Sequence, residues 1–401
     1  MSAPQPKPSP APNSNHYSTY YSSSPKYPLF HNLALAKKTL FRPRLAAIAL
    51  AAIMVLAALP NPMTSSAQAR ISPTQAVDRV LGNFAPQEPG GSILVIHNGR
   101  ILLKKSYGLA AIERPSRANS RTTYRLASVS KQFTATAILL LAERGKLSLD
   151  DPLTKVFPDF PAHGRQVLIR HLLNHTSGLL DYEDLIPEDR KLPVVDADVL
   201  EILQKQQKPY FPPGSKWRYS NSGYALLACI VEKISGVPYP EFLARNIFRP
   251  LGMRSTFLTR RDQLTGGRRA LGYSKRNGAW VNTDQSMTSF VLGDGGIYSS
   301  IEDLAKWEAA LTNHRLLPRE TLAQMMSSTA ETSTPNVSYG YGWYVGKYTD
   351  HTALWHDGTT SGFRNHYLRI PEKKLTIILL ANRTDIDAAA LTRRVADAFL
   401  Q

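Results

Sequence analysis

Residues 128–145 constrain this chain more than any other stretch. Phe133, Ala137, Ile138, Leu140 and Leu141 recur in a run that stops at Gly145, which predicts a buried helix ended by a glycine. Its mouth reads Ser128-Val129-Ser130-Lys131. A lysine at the head of a core helix is expensive, so its burial needs a reason. Lys131 lies three positions after Ser128 and therefore on the same face. An amine there can take the proton of a serine nucleophile once burial or nearby positive charge lowers its pKa. The free N–H groups of the helix mouth also favour an oxyanion at Ser128. Ser-x-x-Lys alone occurs by chance on solvated helices; the apolar run behind it is what gives it weight.

The chain has 401 residues, 43% of them hydrophobic, enough for a sizeable core. Its single cysteine, Cys229, excludes an intramolecular disulfide and leaves no cysteine cluster for a metal, and its apolar neighbours predict a small buried residue. Six of the seventeen net positive charges fall within residues 1–69, which hold no Asp or Glu; eleven remain on the rest. That balance suits contact with an anionic cell envelope. No nucleic-acid recognition module accompanies it, so nucleic acid is not expected as a partner.

Residues 1–35, rich in Pro, Ser, Asn and Tyr, are expected to be disordered. Lys37, Lys38, Arg42 and Arg44 then precede an apolar run over residues 45–59, short for a membrane span but suited to a signal-peptide core. Ala67-Gln68-Ala69 matches the small-x-small cleavage pattern, so the mature chain is expected to start at Arg70 in the periplasm or outside the cell. An uncleaved anchor at 45–59 is the alternative. After a helix expected over 74–82, Asn98-Gly99 between two apolar runs signals a hairpin. Residues 120–290 read mainly as helices and loops. Strands return at 343–345, 353–355, 363–370 and 375–381, and a last helix spans 386–400. One antiparallel sheet covered by the terminal helices, with a helical insertion, accommodates this order, and Ser128 then lies at the seam where clefts form.

Two further motifs bear on the chemistry. In Tyr219-Ser220-Asn221, a tyrosine beside a lysine ammonium can relay protons, and Asn221 offers a donor and an acceptor to a substrate amide. In His356-Asp357-Gly358-Thr359, a glycine on a strand edge lets substrate backbone approach, and the Thr359 N–H can complete an oxyanion hole with that of Ser128. Each alone reads more readily as a structural turn.

Together and in this order, the three motifs resemble those of the penicillin-recognising serine hydrolases: class C β-lactamases, D-alanyl-D-alanine carboxypeptidases and related esterases. The stretches from His171 to Leu179, from Gly293 to Tyr298 and from Tyr339 to Trp343 look familial too, and the resemblance covers roughly residues 74–400. It implies an α+β fold of the β-lactamase/transpeptidase type. The sheet part would span about 70–118 and 291–401, and an all-helical part about 119–290. It also implies Ser128 as nucleophile, Lys131 and Tyr219 as its proton carriers, and Asn221, His356, Gly358 and Thr359 along the substrate. The Ser-Asp-Asn and Lys-Thr-Gly of class A enzymes are not matched. Where class C β-lactamases hold a lysine, this chain has His356, mostly neutral at pH 7, which favours a carboxypeptidase or esterase. Arg364 is a candidate for the substrate carboxylate instead.

His171 and His175, spaced i, i+4, lack the glutamate of a zinc-protease helix and read as a helix end and turn. Gly293-x-Gly295-Gly296 reads as a turn near the site rim, and Glu183, Asp184, Glu188 and Asp189 as a solvated loop. No metal or cofactor is expected. The expected function is a secreted serine hydrolase, acting on a small-molecule or peptidoglycan-derived substrate through an acyl-enzyme. D-alanyl peptides or small esters lead, with β-lactams as the alternative. A catalytically silent wall-binding protein is the alternative of another class.

Overall fold

A computed structural model of the protein describes residues 72–259 and 268–400. The expectations for residues 1–69, including the signal-peptide core and the cleavage after Ala69, lie outside the described residues. Among the described residues no helix is long and apolar enough to cross a membrane.

The expected hairpin is present: β1 (Gly91–His97) and β2 (Arg100–Tyr107) are joined by Asn98 and Gly99 at φ +52° and +73°. Two successive left-handed residues make the turn whose twist matches a hairpin, and asparagine and glycine are the residues that accept it. Six strands follow late in the chain. They are β3 (Ala330–Glu331), β4 (Ser338–Tyr339), β5 (Tyr344–Tyr348), β6 (His351–Thr360), β7 (Phe363–Ile370) and β8 (Leu375–Ala381). All eight form one antiparallel sheet in the order β3-β4-β5-β6-β7-β8-β1-β2. The two ends of the chain thus meet inside it, β1 pairing β8 from Gly91 opposite Ala381 to His97 opposite Leu375.

Five helices accompany the sheet: α1 (Pro73–Leu81), α2 (Lys131–Glu143), α3 (Asn221–Ser235), α4 (Ile301–Thr312) and α5 (Ala388–Leu400). Side chains alternate along a strand, so Ile93 and Val95 enter one core while Leu94 and Ile96 enter the other. The first core holds Val77 and Leu81 of α1 with Val395 and Ala396 of α5. The second, larger one takes α2 and α4 and runs on into the helical part. Every residue of α2 from Lys131 to Leu141 is buried. Phe133 stacks on Trp307 of α4 at 4.2 Å between ring centroids, an arrangement that contributes about 1 kcal/mol beyond burial.

The segment expected to be all helical also carries short strands. Tyr124–Arg125 and Phe257–Leu258 pair on either side of Ile297–Ser299, which lies just beyond that segment, and Tyr273–Arg276 pairs with Ala279–Asn282. The second pair turns at Asn277-Gly278, both with positive φ, so it uses the same signal as the β1–β2 turn. The strand expected at 353–355 extends through Thr360. His356, Asp357 and Gly358 therefore lie within β6.

Candidate active site

Ser128 sits in a single 3-10 turn, Ala127–Ser130, that runs straight into α2. The chain enters this turn through Ala127 at φ +49°, a left-handed conformation that costs an ordinary residue about 1–2 kcal/mol. The preceding Leu126 is held from two sides. Its N–H donates to the Ile297 carbonyl at 2.8 Å, and its own carbonyl accepts from Asn365 Nδ2 at 3.1 Å.

Lys131 opens α2 with its side chain fully buried. Its Nζ donates to Ser128 Oγ at 3.2 Å, to Asn221 Oδ1 at 2.8 Å and to the Asp294 carbonyl at 2.8 Å. Three donors with three acceptors leave no proton of the ammonium unmatched. Burial pushes its pKa down to about 8, against the pull of the Asp294 and Glu183 carboxylates. Asn221 is the first residue of α3, fixed there because the Ser220 hydroxyl caps the helix by accepting the Gly223 N–H at 3.2 Å. The Tyr219 ring lies over the same amine, with Lys131 Nζ 4.9 Å from its centroid.

The wall opposite is β6. The ladder between β5 and β6 ends at Trp355, so residues 356–360 are paired with β7 alone. His356 is 1% exposed; burial and the Lys131 charge push its pKa down to about 3, so it is neutral. Its Nδ1 lies 2.7 Å from the Asp357 carbonyl and therefore carries the proton, which leaves Nε2 to accept from the Tyr339 hydroxyl at 2.8 Å. Thr359 is exposed beside it.

The sequence suggested Gly358 as a glycine that admits substrate backbone; the side on which a Cβ would stand is packed against the chain itself. A Cβ there would stand 2.2 Å from the Leu126 carbonyl oxygen. The missing side chain lets β6 approach the turn that carries Ser128. Arg364 is not poised as a free cation either, because its Nη1 donates to the Thr360 and Phe363 carbonyls across the β6–β7 turn.

Four residues read as background in the sequence stand close to this centre. Glu183, expected in a solvated loop, accepts from Asn221 Nδ2 at 3.0 Å. The residue is exposed, but its carboxyl end is desolvated and lies near Asp294, and its pKa is pushed up to about 7. Asp294, inside the glycine-rich stretch, is buried, holds Lys131 through its carbonyl and takes the Tyr182 hydroxyl on its carboxylate at 3.0 Å. Asp196 accepts the Leu292 and Gly293 N–H groups at 2.8 and 2.9 Å and so fixes that stretch. His175 packs on Tyr219 at 4.4 Å between ring centroids. Asp294 and His175 each fall in a stretch that looked familial, Gly293–Tyr298 and His171–Leu179, whereas Glu183 and Asp196 carried no such signal.

A buried lysine on a serine hydroxyl, crossed by an asparagine and a tyrosine from far along the chain, is a hydrolase-like arrangement. The Beta-lactamase family model matches residues 74–400. The chain belongs to this family. Its members are serine hydrolases of the β-lactamase and penicillin-binding-protein superfamily. Penicillin-binding protein 4* of Bacillus subtilis (strain 168) is 32% identical over 317 residues, 74% of this chain and 68% of its own. Protein flp of Staphylococcus aureus (strain MW2) is 28% identical over 305 residues, 73% of this chain but only 59% of its own length. Among solved structures, D-amino acid amidase from Ochrobactrum anthropi SV3, complexed with L-phenylalanine amide, superposes with a TM-score of 0.72 at 26% identity, covering 82% of this chain and 98% of that one. The β-lactamase family fold accounts for the antiparallel sheet and the helical part described above. Among the described residues no group of three or more His, Cys, Asp or Glu could hold a metal ion.

Proposed function

We propose that this serine hydrolase acts through an acyl-enzyme on Ser128. The observation that carries the reading is the buried Lys131 amine, which bonds the Ser128 hydroxyl at 3.2 Å while Asn221 and Asp294 hold it in place. In its neutral form Lys131 accepts the Ser128 proton as Oγ attacks the carbonyl, and Tyr219 passes a proton to the leaving group. The N–H groups of Ser128 and Thr359 receive the oxyanion. Water then releases the acyl group by the reverse route. The apolar run over residues 45–59 supports secretion, with the domain outside the cytoplasm.

Charge around the centre ranks the substrates. His356 is neutral and buried, so it supplies no cation to a leaving-group carboxylate, and the Arg364 Nη1 is committed to the Thr360 and Phe363 carbonyls. The exposed Glu183, bonded to Asn221, complements an amine on the acyl group instead. Small esters and amides of D-amino acids therefore come first, a reading supported by the likeness to a D-amino acid amidase. D-alanyl-D-alanine peptides follow, and β-lactams, which carry a carboxylate, come last. The complete set of Ser128, Lys131, Tyr219 and Asn221 disfavours a silent binding protein.

A fluorophosphonate tests the chemistry. Intact mass spectrometry is expected to show one covalent adduct on the wild type and none on Ser128→Ala. An unmodified wild type sinks the acyl-enzyme. Comparing D-phenylalanine amide, a D-alanyl-D-alanine peptide and nitrocefin then ranks the substrates, and preferred turnover of nitrocefin overturns the charge argument.

A further inference from the structure

The mechanism needs the Tyr219 ring to stay over Lys131, yet Tyr219 lies in the irregular segment before α3, where no ladder or helix holds it. His175 does this from a different part of the chain. Its backbone carbonyl accepts the Arg218 N–H at 3.0 Å, and its ring Nδ1 accepts the Ser220 N–H at 3.1 Å. The residues on both sides of Tyr219 are thus bonded to one histidine. The imidazole also packs on the Tyr219 ring, centroids 4.4 Å apart and planes inclined by 36°. On its other sides it meets Tyr339 at 4.5 Å and Tyr224 at 5.2 Å.

We infer that His175 is a positioning residue for Tyr219, acting through its Nδ1 acceptor and its ring face, and taking no proton itself. Three observations support this. The residue is 1% exposed and out of reach of bulk solvent. An Nδ1 that accepts leaves the proton on Nε2, and Nε2 has no hydrogen-bond partner among the described residues, so no relay leads onward. Burial, and after it the Lys131 charge, holds the pKa well below the ordinary histidine value, so the acceptor persists. The backbone of His175 is left-handed at φ +63°, which restricts what can replace it. A buried hydrogen-bonding side chain in a costly conformation points to selection for the bonds it makes.

The inference rests on Tyr219 carrying a proton, and the experiment separates the two claims. Burst-phase acylation by p-nitrophenyl acetate is measured in wild type, Tyr219→Phe, His175→Gly, His175→Asn and the two double variants. Glycine accepts the left-handed backbone but removes ring and acceptor; asparagine keeps an acceptor and tolerates the same φ. A misplaced phenol is expected to slow acylation about 100-fold in His175→Gly and about tenfold in His175→Asn, with KM little changed. In the Tyr219→Phe background the same changes are expected to cost less than about threefold, because there is no relay left to misplace. Equal losses in both backgrounds overturn the role assigned to His175. If His175→Gly does not fold, as judged by circular dichroism, the asparagine pair decides alone. Wild-type acylation in Tyr219→Phe removes Tyr219 from the proton route, and His175 with it, a result visible without any His175 variant.

Discussion

Replacing Gly358 by alanine tests whether the distance between β6 and the Ser128 turn is set by this glycine. The new Cβ would lie 2.2 Å from the Leu126 carbonyl oxygen and 3.0 Å from Asn365 Nδ2, so relief requires a separation of about 1 Å. Neither side yields easily. The Leu126 carbonyl is held by Asn365 and accepts the Val129 N–H at 3.3 Å, while β6 is paired with β7 from Leu354 to Thr360. Overpacking of this kind costs about 1–3 kcal/mol of stability, a Tm lowered by a few degrees. The kinetic effect is larger. If the Thr359 and Ser128 N–H groups share the oxyanion, moving one strand by about 1 Å costs about 100-fold in kcat/KM, equivalent to about 2.7 kcal/mol. Thermal melting and p-nitrophenyl acetate hydrolysis measure both, and the loss should appear in kcat. A Gly358→Ala enzyme within twofold of wild type in kcat, and with an unchanged Tm, refutes the spacing argument.

Three other outcomes follow from groups described above. The proposed base role of Lys131 requires its neutral form, so hydrolysis of uncharged esters should rise with pH through about 8; Glu183→Gln removes a carboxylate that favours the ammonium and should move this limb to lower pH. An unmoved or alkaline-shifted limb in the pH profile contradicts that assignment. His366 is buried with no hydrogen-bond partner for either ring nitrogen among the described residues, the nearest Asp357 oxygen is 3.8 Å away, and burial pushes its pKa down to about 3. Below pH 6.5 the unfolded chain therefore binds a proton that the native state refuses, and stability falls with pH. His366→Leu should stabilise the fold at pH 7, with the advantage in urea midpoints growing by about 1.4 kcal/mol per pH unit between about 6.5 and 4; a constant or shrinking gap would count against it. Ala127→Gly relieves a left-handed alanine and should raise stability by about 0.5–1 kcal/mol with acylation retained, whereas a lower Tm would show that Ala127 is unstrained.

Local patterns announced the frame of this molecule. Asn98-Gly99 has one good conformational use, and the terminal helices fell within two residues of where apolar spacing put them: 73–81 against 74–82, and 388–400 against 386–400. Ser128 and Lys131 were readable as a pair because three residues along a helix is a fixed distance. Contacts made across long separations were not readable. Glu183 looked like one of several acids in a loop, and only the fold brings it to an amide 38 positions later. Asp294 binds Lys131 through a carbonyl, a group every residue owns, so its identity carried no message. Gly358 was noticed, but its closeness to the Leu126 carbonyl was not, since an empty space is specified by whatever comes to fill it. The second hairpin, at Asn277-Gly278, went unread although it uses the same dipeptide as the first.

The strand order has a consequence for how the molecule comes into being. During synthesis Ser128, Lys131 and Tyr219 leave the ribosome well before His356, Gly358 and the last strand, β8, which occupies the place between β7 and β1. Until residues 375–381 arrive, β1 has β2 on one side and nothing on the other, and no complete sheet supports the wall facing the serine. A message broken off between residues 221 and 351 yields a chain that holds Ser128, Lys131 and Tyr219 without the strand β6 that faces them. Nascent copies therefore lack the strand between β7 and β1 until residues 375–381 have been made.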